Sequence, residues 1–395
     1  MEKILKLALN KYPTVPHSLR VKPSANAAAG TVTVGLASLY HHYYLDSFGR
    51  TPPSPDPAQF EHVHFLLPTP DFRFQGSGLG ISPAIKRSRS TELGQAFCRW
   101  FLHDHLNITY FAHVEALLAR QLHRAFGNFR LKRTAPGDTP DYFCAESVTR
   151  VYLAEAKGRY SSVSFGNKEF GEWRNQFKRV AFVDSAGMMR RIKGHIIATR
   201  FSTESNSARV MSGIWAEDPE SPGERPLNQD SSAELGRAII AAHYSNIATK
   251  IGQPLLASAL ASGVALPEQI HIVGIAWRVV AGPLEGRRFI GGYFSPDGAP
   301  ASARDSKGRI VFDKPDPLRL DRPSATFVGL EESIFRQVVS LARLETEAFP
   351  RLSRFEQTDV FYSGFSVLRD GSAIGPVEFF SPDENVTLQE SPKEA

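Results

Sequence analysis

The sequence predicts an α/β protein, on three observations. Short β-prone runs alternate with longer stretches whose apolar residues recur every three or four positions, the periods of strand and helix. Residues 138–159 read as a β-hairpin that ends in two acids and a lysine. A stretch rich in Pro, Gly, Ser and acids at 218–232 divides the chain. The 395 residues, 42% hydrophobic and 22% charged, suffice for a large core in one or two domains.

Taken in order, residues 1–85 form a small α+β region. Residues 31–45 are apolar with three tyrosines and suit either helix or strand. His41 and His42 are adjacent, so they do not share a face and are not read as a ligand pair. His62 and His64 have strand spacing, but no third ligand stands near them in sequence. The glycines of 76–80 lack the spacing of a dinucleotide loop and read as a flexible loop before the basic cluster Lys86-Arg87-Ser88-Arg89.

A region over 86–217 follows. Leu93, Ala96, Phe97, Trp100, Phe101 and Leu106 give a helix over 91–106, with Thr91 as cap and Glu92 in its first turn. His103-Asp104-His105 at its end reads as surface. Strands are expected at 108–114, 128–133, 192–201 and 210–215, and a helix at 115–126. Phe170, Trp173, Phe177, Val180 and Ala181 form one apolar stripe, which predicts a helix over 168–186 with Gln176, Lys178 and Arg179 off it. After the linker at 218–232, residues 233–395 form a second α+β region. Helix is expected over 233–260, broken at Gly252-Gln253-Pro254, and again over 331–344. Strands are expected at 270–280, 288–294 and 359–368, and the tail from Asp383 reads as frayed.

The hairpin carries the chemistry. Pro140 opens its first strand, Tyr142-Phe143-Cys144 and Val151-Tyr152-Leu153 are β-prone, and turn residues lie between them. Pairing brings Asp141 beside Glu155 and Lys157, which point to one face because strand side chains alternate. Two carboxylates and a free carbonyl at Ala156 suit a hard cation such as Mg²⁺. Such an ion polarises a phosphodiester and lowers the pKa of water, and a neighbouring lysine orients that water or offsets developing charge.

Pro140-Asp141 followed by Glu155-Ala156-Lys157 resembles the PD-(D/E)xK nuclease superfamily, over roughly residues 90–205. The resemblance implies a restriction-endonuclease-like core, a mixed central sheet flanked by helices. It implies Asp141, Glu155 and the Ala156 carbonyl as ligands of Mg²⁺ or Mn²⁺, and Lys157 as the catalytic lysine. It implies a further glutamate from the preceding helix, Glu92 or its competitor Glu115, and a contact from Gln176 to the water or scissile phosphate. Six Pro-Asp pairs occur in the chain, so that pair alone decides nothing. A second formal match, Pro296-Asp297 with Asp305-Ser306-Lys307, lacks an apolar strand before its acid and reads as a loop.

Net charge is +5 and the pI about 9.1, a modest basic excess that favours a polyanionic partner. Arg159, Lys168, Arg174, Lys178, Arg179, Arg190 and Arg191 gather just downstream of the acids, where a nucleic-acid backbone would pass. The expected activity is metal-dependent hydrolysis of DNA, RNA not excluded, by an endonuclease of restriction or anti-phage type. The alternative is a nucleic-acid-binding or sensing module with little or no catalysis. By analogy, the C-terminal region suits recognition, a homo-oligomer or a partner protein. No membrane span or secretory signal is read, and Cys98 and Cys144 are read as buried thiols, which fits a cytoplasmic protein.

Overall fold

The computed structural model describes residues 1–47, 49, 61–119, 129–219, 229–293, 302–304, 306, 310–312, 326–345 and 365–388. The chain forms two units, Met1–Asp46 with Glu61–His243, and Ser47–Phe60 with Tyr244–Ala395.

The first unit is built on a mixed seven-stranded sheet flanked by helices. Its strands are β1 (Glu2–Asn10), β2 (Thr31–Gly35), β3 (Tyr110–His113), β4 (Tyr142–Ser147), β5 (Arg150–Arg159), β6 (Gly194–Arg200) and β7 (Gly213–Glu217), in the order β2-β1-β7-β6-β5-β4-β3. The pairs β1/β7 and β5/β6 are parallel and the others antiparallel. In β1 the side chains alternate, with Leu5 and Leu7 inward and Glu2 and Lys6 exposed. Strand β5 lies inside the sheet and is apolar on both faces from Val151 to Ala154.

Helix α1 (Leu36–Ser47) follows β2 directly. Helix α2 (Pro83–Leu106) begins on a Ser82 cap, whose Oγ accepts the Ile85 N–H at 3.3 Å, with Pro83 in its first turn. It ends on Asn107 in the left-handed conformation, φ 58°. Gly94 of α2 lies on Gly158 of β5. A Cβ at either glycine would collide with the other backbone, so the pair permits a closer approach than any side chain would.

Several expectations change. Residues 1–46 are not a separate region: β1 and β2 extend the central sheet, and the two units divide between His243 and Tyr244 rather than at 218–232. Helix α2 starts before Thr91, because Ser82-Pro83 supply the stronger start signal, so Lys86–Arg89 ride on the helix. The helix expected over 168–186 stops early. It runs over Lys168–Gln176 (α3), passes through a 3₁₀ turn and becomes the strand Val180–Val183, paired with Arg130–Arg133. The β-prone run Val180-Ala181-Phe182-Val183 gains that ladder, and tertiary pairing overrides the helical stripe. His62 and His64 lie on a helical turn, Glu61–His64, rather than a strand. His103, expected at the surface, is buried, as are His41 and His42. The second formal acid–lysine match, at 297, 305 and 307, lies outside the described residues.

The second unit has a six-stranded antiparallel sheet. Its strands are β8 (Ile272–Val279), β9 (Arg288–Gly292), β10 (Thr326–Glu331), β11 (Ser366–Val367), β12 (Ser372–Pro376) and β13 (Phe380–Leu388), ordered β11-β12-β10-β9-β8-β13. Trp277, Phe289, Phe327 and Phe380 fill its core. An amphipathic helix, Glu332–Arg343, caps its start with the Glu331 carboxylate, 3.1 Å from the Ile334 N–H. The tail expected to fray from Asp383 pairs with β8 through Leu388. The helical segment past the linker breaks between Lys250 and Pro254, as proline requires.

Candidate functional site

The register of the first sheet assembles a polar row. Tyr142 pairs with Ala154, so Asp141 stands opposite Glu155 at the mouth of β4. Glu155 pairs with Ile196 on β6, Ile196 with Glu217 on β7, and Glu217 with Asn10 on β1. Asp141, Glu155, Ile196, Glu217 and Asn10 thus follow one another across five neighbouring chain segments.

Glu155 is fully buried, at 0% exposure, and among the described residues the Lys157 ammonium is the donor that reaches its carboxylate. Its charged neighbours are the Lys157 ammonium, in ion-pair contact, and the Asp141 carboxylate. Burial first, and the Asp141 charge second, push the Glu155 pKa well above the usual carboxylate range, while Lys157 pulls it back in part. At the half-buried Lys157, burial opposes the charge, but the carboxylates of Glu155 and Asp141 outweigh it and raise the pKa.

Asp141 is held from two sides. Its Oδ2 accepts the Ala156 N–H at 2.8 Å, and its Oδ1 accepts Nε2 of Gln95 at 3.3 Å. At Ala156, therefore, the amide serves Asp141. Gln95 was not singled out in the sequence. It lies one helical turn past Glu92 on α2, beside the close-packed Gly94, and that spacing is the signal that could have found it. Glu92 itself is engaged elsewhere: Tyr43 Oη donates to it at 3.0 Å, Ser88 Oγ at 2.9 Å, and Arg89 lies 3.5 Å away. Glu115 accepts from Thr139 Oγ1 at 2.8 Å, with Arg133 at 3.7 Å.

Behind Asp141, the next residue anchors a buried network. Tyr142 Oη donates to Asp46 at 2.8 Å, while Arg99 and His113 approach the same carboxylate at 3.1 and 3.2 Å. Burial raises the Asp46 pKa, but His113, Arg99 and Tyr142 outweigh it and leave a lowered value.

Helix α3 covers the face that carries Glu217, because Arg174 forks onto that carboxylate at 2.5 and 2.8 Å. Gln176, at the end of α3, is buried, and its Oε1 has no hydrogen-bond donor. Much of the basic charge downstream is already engaged. Arg159 pairs with Glu169 at 2.9 and 3.0 Å and lies over Trp173; Lys178 donates to Asn175 Oδ1, and Arg179 to the Asp138 carbonyl. Lys168 is largely exposed, 3.7 Å from Glu172.

The donor chemistry fits a hard divalent cation. A buried carboxylate with a single lysine as partner, set against a second carboxylate, is costly without further positive charge, and oxygen donors of this kind are those Mg²⁺ selects. These features define a mixed α/β protein with a frustrated acid pair and a lysine at the mouth of a central strand. No protein family, curated protein or solved structure matches the chain significantly. Among the described residues, no helix is long and apolar enough to cross a membrane.

Proposed function

We propose that the first unit is a PD-(D/E)xK-type nuclease core that hydrolyses phosphodiester bonds of DNA. The observation that carries this reading is the convergence of Asp141, Glu155 and Lys157, with Glu155 buried against a second carboxylate and Lys157 as its charged partner. Asp141 and Glu155 would hold Mg²⁺ or Mn²⁺. The ion, when bound, supplies charge neutralisation at the phosphodiester and acidifies water.

The chain's own residues do the rest. Lys157 remains protonated beside the two acids and presents an ammonium to the attacking water and to the charge that develops on the phosphate. Gln95 and the Ala156 amide fix the rotamer of Asp141, so the carboxylate needs no reorganisation during reaction. Gln176 offers a buried amide from α3, a candidate contact to water or phosphate. Lys168, and those donors of Lys178 and Arg179 not used internally, would seat the backbone. Arg159 and Arg174, paired with acids, serve chiefly to hold α3. DNA rather than RNA, a restriction or defence setting, a cytoplasmic location, and recognition or assembly by the second unit rest on the resemblance alone.

The test is to incubate plasmid and linear DNA with the purified protein in Mg²⁺, Mn²⁺ or EDTA, alongside Lys157→Ala. Metal-dependent cutting is expected, reduced about 10²- to 10³-fold in the variant. Salt-sensitive binding without cutting in any metal would favour a sensing module on the same fold. Cutting unaffected by Lys157→Ala would remove the assignment.

A further inference from the structure

We propose that His42, His103 and Asp104 form a second metal centre, for a borderline divalent ion of the Zn²⁺ type, that ties helix α1 to helix α2. Each residue offers one ligand atom, and the three atoms lie within 4.8 Å of one another. His42 comes from the middle of α1, and His103 with Asp104 from the last turn of α2. The His42 and His103 ring centroids are 4.9 Å apart.

The chemistry selects the ion. Two imidazoles and a carboxylate are a zinc donor set, with bonds of about 2.0–2.2 Å. Imidazole nitrogen favours Zn²⁺ and its neighbours over Mg²⁺ or Ca²⁺. A tetrahedral ion with such bonds holds its donors about 3.3 Å apart. The widest-spaced donors therefore close by at most about 1.5 Å, and the 2.7 Å His103–Asp104 pair opens slightly, within the reach of small side-chain rotations. Asp104 Oδ1 sits 2.7 Å from His103 Nδ1, so these two donors already meet, and an ion would replace their hydrogen bond with a bond to each. His42 and His103 are buried, while the Asp104 side chain retains 12% exposure and gives the ion a route in.

The site has a structural purpose. An ion bridging the helices would hold the middle of α1 against the last turn of α2. These helices also carry Asp46 and Gln95, which brace the acid cluster from behind. The proposal does not depend on the nuclease reading, because its nitrogen-rich donor set is separate from the oxygen donors at 141 and 155.

The experiment strips the purified full-length protein with chelator and titrates it with Zn²⁺ alone, by calorimetry and by X-ray absorption at the zinc edge. Thermal melts run in parallel. One equivalent should bind with imidazole ligation and raise the melting temperature. His42→Gln and His103→Gln should each weaken binding at least about tenfold and abolish the shift. Circular dichroism checks that these variants fold. If either does not, Asp104→Asn at the rim carries the test and must show the same weakening. Glu155→Gln should leave the zinc equivalent intact. The proposal falls if the parent protein binds no stoichiometric Zn²⁺, if binding survives the ligand substitutions, or if Glu155→Gln removes it.

Discussion

Glu217 and Glu155 flank the same residue, Ile196, on adjacent strands, and both are fully buried. Glu217 is served completely: Arg174 forks onto it at 2.5 and 2.8 Å, and Asn10 Nδ2 donates at 2.7 Å. Glu155 has one lysine set against an opposing carboxylate, and among the described residues no guanidinium or amide completes its shell. A fold that can satisfy one buried carboxylate can satisfy its neighbour, so the unsatisfied one points to work other than stability. Asp370 in the second unit repeats the contrast. Its Oδ1 accepts both the amide and the hydroxyl of Ser372, at 2.8 and 2.6 Å, which closes a turn.

Substitution can convert one acid into the other. Arg174→Ala strips Glu217 of its guanidinium and leaves a buried carboxylate without a cation. It should cost about 3–5 kcal/mol in urea unfolding, and a loss below about 1 kcal/mol would erase the distinction between the two acids. A pH series tests a neighbouring buried group. Burial lowers the His195 pKa to about 4, partly countered by Asp218. Because the folded value lies below that of the unfolded chain, its stabilisation is complete above about pH 6.5 and is lost as pH falls through about 4. His195→Leu should flatten that limb by up to about 3 kcal/mol between pH 7 and 4. An unchanged profile would mean that the imidazole is not held neutral.

Glu155→Gln removes the repulsion with Asp141. Metal-free protein should become more stable by about 1 kcal/mol, and the melting-temperature rise that the proposed site predicts for Mg²⁺ should disappear. Strong destabilisation instead would make Glu155 a structural acid like Glu217. The smallest effect belongs to Lys168→Ala, which should lower the slope of log affinity for DNA against log salt by about one and leave stability unchanged.

The hairpin was legible because its signals are local. Pro140, two β-prone runs and period-two alternation suffice to set Glu155 and Lys157 on one face and Asp141 across from them. The break at Pro254 and the stripe of Glu332–Arg343 were legible for the same reason. Helix α3 was misread past Gln176 because apolar spacing cannot distinguish a helix from a helix followed by a buried strand. Only the pairing with Arg130–Arg133 resolves it. Gln95 was missed because its partner, Asp141, is distant in sequence.

Local order along the chain therefore decided which residues share a strand face or a helix stripe, and with that the core of the acid–lysine group. Tertiary structure alone decided which of those charges would be neutralised. Arg159 and Arg174 read as free cations until Glu169 and Glu217 met them. His42 and His103 read as unrelated until two helices brought their rings together. The physical reason is that periodicity encodes direction, whereas the charge state and partners of a buried group depend on elements that only folding brings near.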